Sequence, residues 1–317
     1  MKPLAVLALA MALCAADMPV SGPVLGFVLD PSLHRVRPIL GIAGASTTGQ
    51  PLDAGADLNQ AVFSPVHNFI LALAGDASTP LLIVPNQPGV PIAGAQAGAS
   101  RIVLSPEGAA AALYFQQGAR AQILTGLPDA PSIARSVDLS ALPSPPTALA
   151  LSDDAAALVA IVGGNAPALY VFTADGAMSL ITLAEPATAF AFLNRSHDAV
   201  LTGASAAFLL HDVTGAATLA PLVSDGVSSP AAVVVAGDNT QAIALNSNFS
   251  GIVTLDLTGG PSGLNDCACA ATGLARLAGN ATFRLTDYTG DPLLLFDASP
   301  GNARVLFVPP AAAAQEN

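Results

Sequence analysis

The sequence predicts an all-β fold built from repeats, on three observations. Short apolar runs recur at nearly constant spacing: AVFS closing at Ser64, IVLS at Ser105, LALS at Ser152, AFLN at Asn194, VVVA before Gly237 and ARLA before Gly279. The intervals are 41, 47, 42, 43 and 42 residues, and a fixed period of this size marks propellers and related arrays. Each run leads through a tight polar or Pro-containing turn into a second apolar run, and 28 Gly and 26 Pro residues supply turn signals throughout.

The elements follow in order. Met1 and Lys2 precede an apolar run from Leu4 to Leu13 and the small-residue site Cys14-Ala15-Ala16. This is the pattern of a secretory signal peptide, residues 1–16, cut near Ala16. The run is too short to cross a bilayer, which takes ~20 residues. The protein is therefore expected outside the cytoplasm, periplasmic or secreted, with no membrane span.

Residues 22–309 are predicted to form a single domain. Its first unit, from Gly22 to Gly55, holds VLGFVLD, a Pro-Ser turn and HRVRPILG; six anchored repeats follow. Within a repeat, the anchor run and its turn lead into a second strand, as in SPVHNFILAL, SPEGAAAALYF and SDDAAALVAIV. A third run such as AQILTG, LYVFTADG or IVTLDLTG ends in a turn that suits a hairpin into a fourth, such as AMSLITL or ARVLFV. Four short strands per period make a propeller blade, so the prediction is a β-propeller of about seven four-stranded blades, with six as the alternative count. The first unit is short, and Arg304–Val308 is expected to complete its sheet, tying the chain ends together. Residues 310–317 read as a disordered tail.

The segments SPEGAAAALYF and SPVHNFILAL resemble the YVTN and WD40-like propeller repeats of secreted bacterial proteins. In that family a Ser-Pro-Asp-Gly turn leads into Leu-Tyr-Val. The resemblance covers roughly Asp57 to Pro309, but Ser-Pro survives only at Ser64 and Ser105 and drifts to SDD, NRS, GDN and GNA. It implies a fold and no particular activity, because propellers host many.

Composition narrows the partners. The formal net charge is −12, Lys2 is the sole lysine, and nine arginines are scattered through the chain. Nucleic-acid affinity rests on cations that displace phosphate counterions, and no basic stripe is present here. Loss of Lys2 with the signal peptide also rules out a Schiff-base lysine in the mature chain. There is no Trp, and Ala, Val and Leu dominate the 52% hydrophobic content, so packing relies on small side chains.

Chemistry-bearing residues are few. Cys267 and Cys269 are a candidate disulfide in an oxidising compartment, strained at that spacing; it reads as a redox site or a loop pin, with two small buried cysteines, metal ligation and intermolecular pairing as the other readings. His34, His67, His197 and His211 fall on different repeats, and Asp153-Asp154 occupies a hairpin turn, where Asx side chains bond their own backbone. No GxSxG, HExxH, Walker or EF-hand motif occurs. No cofactor is expected; calcium is the one ion left open, through a single GGPSGLND copy, and the metal ligands are unassigned.

A binding face is expected where the loops after the second and fourth strands meet at a channel mouth. The candidates are Asp76, Gln116, Gln117, Asn165, Asn246, Asn248, Asp287 and Tyr288 in the first set, and Glu185 and Asp225 in the second. The functional expectation is a monomeric, non-enzymatic binding or scaffolding module for a protein or carbohydrate partner. The alternative is a channel-mouth hydrolase or lactonase using a divalent cation held by several oxygen ligands.

Overall fold

The computed structural model describes residues 22–163, 168–223, 225–247, 251–267 and 271–310. The expected signal peptide lies outside them, as does the expected C-terminal tail after Pro310. The described residues form 27 strands, arranged as seven antiparallel sheets whose strands follow chain order. The protein is thus an all-β, seven-bladed propeller. Among the described residues no helix is long and apolar enough to cross a membrane.

Blades 1 to 7 begin with the innermost strands Val24–Asp30, Leu58–Phe63, Arg101–Leu104, Ala148–Leu151, Ala189–Phe192, Pro230–Val235 and Ala275–Arg276. Six sheets have four strands; blade 1 has three regular strands, and its third continues past Thr48 until Leu52 bridges Val36.

The repeat period becomes a ring because each sheet is apolar on both faces. In the second strand of blade 2, Leu71 and Leu73 pack toward blade 3, whereas Ile70, Ala72 and Ala74 pack toward blade 1. The same period-two division places Ala111, Leu113 and Phe115 against blade 2 and Ala110, Ala112 and Tyr114 against blade 4. Buried on both sides, these strands read in sequence as continuous apolar runs. Seven hydrophobic clusters result, each spanning one pair of adjacent blades. Fully burying a Leu such as Leu71 or Leu113 stabilises the fold by roughly 1.5–3 kcal/mol. The many buried Ala residues let neighbouring sheets approach closely toward the narrow axis.

Ring closure between blades 7 and 1 differs from the expectation. Arg304–Val308 is the outermost strand of blade 7, paired along its length with Leu293–Asp297, and does not complete blade 1. That strand already has its partner within its own repeat, so only the following residue reaches across: Thr48 N donates to Pro309 O at 3.1 Å. Closure is carried instead by Ala278 N donating to Leu25 O at 2.7 Å, by the cluster uniting Leu25, Val28 and Ile39 with Leu277, Leu293 and Val308, and by Arg37 lying 5.0 Å from the Tyr288 ring centroid.

Candidate functional site

The inner strands of blades 2 to 7 turn into their second strands with one geometry. The pairs Phe63↔Ile70, Leu104↔Ala111, Leu151↔Leu158, Phe192↔Ala199, Val235↔Ala242 and Arg276↔Phe283 close each turn seven positions apart. Structural equivalence therefore puts Arg276 where the other five carry Phe, Leu or Val. A cavity of about 230 Å³ in the channel is lined by Val103, Leu149, Ala191, Val233 and Arg276, among others. A second, of about 330 Å³, lies between blades 1, 2 and 7 and includes Phe27, Phe63, Arg276 and Arg284. The charged residues lining the two cavities are these two arginines.

Arg276 is 8% exposed. Its Nη1 donates to Asn194 Oδ1 of blade 5 at 2.8 Å, and its Nη2 to Pro106 O of blade 3 at 3.1 Å. Its Nε is buried without a partner, as is that of Arg284. Burial pulls the Arg276 pKa down from the usual arginine value, opposed by the negative charges of Glu107 and Asp153.

Around Arg276 the turns after the inner strands are tied blade to blade. Ser64 Oγ donates to Glu107 O at 3.2 Å. Asp153 accepts Glu107 N and Arg195 N, each at 2.8 Å, and Arg195 Nε pairs with Glu107 Oε2 at 2.6 Å. Asn239 Oδ1 accepts Asn194 N at 2.8 Å, Gly237 N donates to Asn280 O at 3.0 Å, and Asn280 Nδ2 donates to Asp238 Oδ2. A cavity of about 400 Å³ opens here beside Glu107, Asp153, Asp154, Arg195 and His197. His197 joins Asp154 Oδ2 at 2.8 Å and Thr214 Oγ1 at 3.0 Å. Burial disfavours the Asp154 carboxylate, but hydrogen bonds from Ser152, Ala156 N and His197 outweigh it and hold its pKa below the usual carboxylate value. Asp154 behaves as an Asx turn residue, while Asp153 bonds the backbone of its neighbours. Among the described residues no group of three His, Cys, Asp or Glu side chains is placed to hold a metal ion.

The sequence-predicted residues that are described lie at the opposite mouth. Asp76, Gln116, Gln117 and Asp225 are exposed turn residues. Gln116 and Gln117 border a hollow with Ser78 and Ser100. Asn246 is 3% exposed, and its amide is engaged by Ser228 N and Gly226 O. Tyr288 is buried beneath Arg37, and Asp287 pairs with Arg284 at 2.7 Å. Glu185 accepts from Ser205 Oγ through Oε2, while its Oε1 is buried without a partner. Asn165 and Asn248 fall outside the described residues. No hydrogen bond or ion pair found among the described residues joins candidates on different blades. Cys267 is disulfide-bonded and buried; Cys269 lies outside the described residues. Of the histidines, His67 stacks on Phe69, and His211 pairs with Asp198 at 2.9 Å.

The outer rim is the other distinctive surface. Met178 and Leu180 on the outermost strand of blade 4, Leu219 on blade 5, Leu264 on blade 6 and Phe307 on blade 7 are large exposed apolar residues, Leu180 at 54% and Phe307 at 71%. The corresponding strand of blade 3, Ser132–Asp138, instead reads SIARSVD.

Together the ring of seven sheets and its lined channel define a β-propeller. No family model and no curated protein matches the chain. Among solved structures it is similar to a protein from Lactobacillus plantarum, with a TM-score of 0.62 and 15% identity over 90% of this chain and 96% of that one. It is similar also to a functionally unknown protein from Desulfotomaculum acetoxidans DSM 771 (TM-score 0.59, 14% identity, 90% and 99% covered). A third is the Cps50 (Swd1) β-propeller domain of Myceliophteria thermophila (TM-score 0.55, 11% identity, 79% and 88% covered). These likenesses establish the fold; the YVTN type of the repeats finds no match at the level of sequence.

Proposed function

We propose that the protein is a non-enzymatic binding module for a protein partner, acting outside the cytoplasm after removal of residues 1–16. The observation that carries this reading is the apolar arc on the outermost strands of four consecutive blades, from Met178 and Leu180 to Phe307. Large apolar side chains exposed on successive outer strands of an acidic protein suit a protein contact, and outermost strands also offer unpaired backbone groups to a docking segment. Carbohydrate recognition by ring stacking would call for exposed aromatic faces, and Phe307 is the one aromatic residue in that arc. The test is affinity capture from the exported fraction with the wild-type chain, a Leu180→Asp/Leu264→Asp variant, and Arg276→Gln as a control that leaves the rim intact. A protein retained by the wild type and the control but lost from the rim variant supports the reading. An identical capture profile for all three contradicts it.

The hydrolase alternative has one geometric feature in its favour, the hydrogen-bonded chain Asp154–His197–Thr214 beside the mouth cavity. Turnover of simple ester or lactone substrates that is abolished by His197→Ala would move the assignment to it.

A further inference from the structure

We propose that the channel is a binding site for a small monocarboxylate with an apolar tail, its head group received by Arg276 and its tail by the inner strands. The site is distinct from the outer rim, and three observations place it. First, Arg276 interrupts a ring of apolar positions in a chain whose net charge is −12. Within the described ion pairs it has no carboxylate partner, and its guanidinium is held in place by three oxygen acceptors, Asn194 Oδ1, Val235 O and Pro106 O, while Nε is left buried and unpartnered. A buried donor without a partner costs roughly 1–3 kcal/mol, more for a charged group, and a ligand oxygen that satisfies it recovers that cost. Second, Arg276 borders both cavities, and the second also contains Arg284, whose Nε is likewise buried and unpartnered. The lining of the two cavities includes no Asp or Glu, so the charged groups facing them are cationic, although Glu107 and Asp153 stand close enough to offset part of the Arg276 charge and Asp287 pairs with Arg284. Third, the rest of the first cavity's lining is apolar apart from Ser105, whose hydroxyl already accepts from Ala110 N: Val103, Leu149, Ala191 and Val233 offer no donor or acceptor beyond their backbone.

These features select the ligand. A guanidinium binds a carboxylate in a planar, charge-assisted geometry. A dianion such as phosphate would carry a second charge into an apolar enclosure with insufficient compensation. The cavity of about 230 Å³ is smaller than the ~300–1,000 Å³ typical of drug-sized ligand sites, which limits the tail to a short chain.

The test is calorimetric titration of the mature full chain with sodium hexanoate, 1-hexanol and hexylammonium chloride. Saturable binding of hexanoate is expected, with hexanol at least about ten-fold weaker and the amine silent, since a charge-assisted hydrogen bond is worth about that factor or more. Arg276→Gln should weaken hexanoate by at least about ten-fold and leave hexanol unchanged. Because that variant loses contacts to Asn194 and Pro106, Ala191→Phe provides a second measurement: it fills the apolar channel, retains the arginine and should abolish binding of both hexanoate and hexanol. The proposal is overturned if the folded wild-type chain gives no saturable signal with hexanoate, if hexanol matches it, or if both variants bind as the wild type does. Each of these results leaves the rim capture experiment unaffected.

Discussion

Arg276 of blade 7 and Asn194 of blade 5 meet across the channel mouth, Nη1 to Oδ1 at 2.8 Å, although they are 82 positions apart in the chain. The same Asn194 donates from Nδ2 to Ala236 O and to Asn239 Oδ1, each at 2.7 Å. One amide thus joins the buried cation to the belt of turns.

Asn194→Ala is expected to destabilise the protein by about 2–4 kcal/mol, because it removes hydrogen bonds to a charged group and leaves Arg276 less satisfied. In an Arg276→Met background the same substitution should cost clearly less, since no buried charge is then abandoned. Urea denaturation of the four chains of this double-mutant cycle measures the coupling; additive effects would show that the two residues do not act together.

Gly108 sits at φ +81°, and a Cβ there would lie 2.5 Å from Ser64 Oγ. Gly108→Ala should therefore cost roughly 1–3 kcal/mol, from left-handed backbone strain and from displacing the tie between blades 2 and 3. Gly163→Ala is the comparison: its φ is ordinary and the nearest atom would be Thr147 Cγ2 at 3.5 Å, so its melting temperature should stay close to wild type.

Stability should fall in acid through identifiable carboxylates. Burial opposes ionisation of Asp30, but hydrogen bonds from Ser32, Arg37 and Leu33 N outweigh it and hold the pKa below the ordinary carboxylate value. Asp154, Asp198 and Asp238 are lowered in the same sense. A carboxylate with a lowered folded-state pKa stabilises the fold above its unfolded value and loses that contribution as pH drops through the lowered one. The melting temperature should thus hold near neutrality and decline as pH falls below the ordinary Asp value. Asp30→Asn should make that decline shallower, although it lowers stability at neutral pH; an unchanged slope would contradict the assignment.

The proposed export makes a chemical prediction. Cleavage near Ala16 would remove Lys2, the sole lysine, so an amine-reactive label should then modify the mature protein at its α-amino group alone. Two labels per chain, with an intact mass that includes residues 1–16, would contradict processing.

Much of the fold was legible in the sequence because both faces of every blade are buried. Continuous runs such as Ala157–Val162, buried at all six positions, mark the second strands without ambiguity, and the constant turn length fixes their spacing. The fate of Arg304–Val308 was not legible, because pairing within blade 7 and across to blade 1 satisfy the same alternation. The mouth was harder to place. Arg276 stands in the anchor run ARLA, and a charge in a position otherwise apolar is the available signal; the ends of the apolar runs at Asn194 and before Gly279 are not equivalent in the ring, and only the paired strand ends bring Arg276 level with Phe192. Asp153 looks like a self-bonding turn residue until ring closure brings Glu107 and Arg195 to it from neighbouring blades. Asn246 and Tyr288 have the polar character of loop residues in sequence, whereas packing turns both inward.

Site-specific photo-crosslinking in the producing cells decides between the rim and the mouth, with the probe at Leu180 or Leu264 on the rim and, in parallel, at Asp76 or Asp287 on the mouth opposite Arg276. The account predicts a discrete protein adduct from the rim positions and none from the other two. Adducts confined to Asp76 and Asp287 would contradict it and return the binding face to the channel mouth.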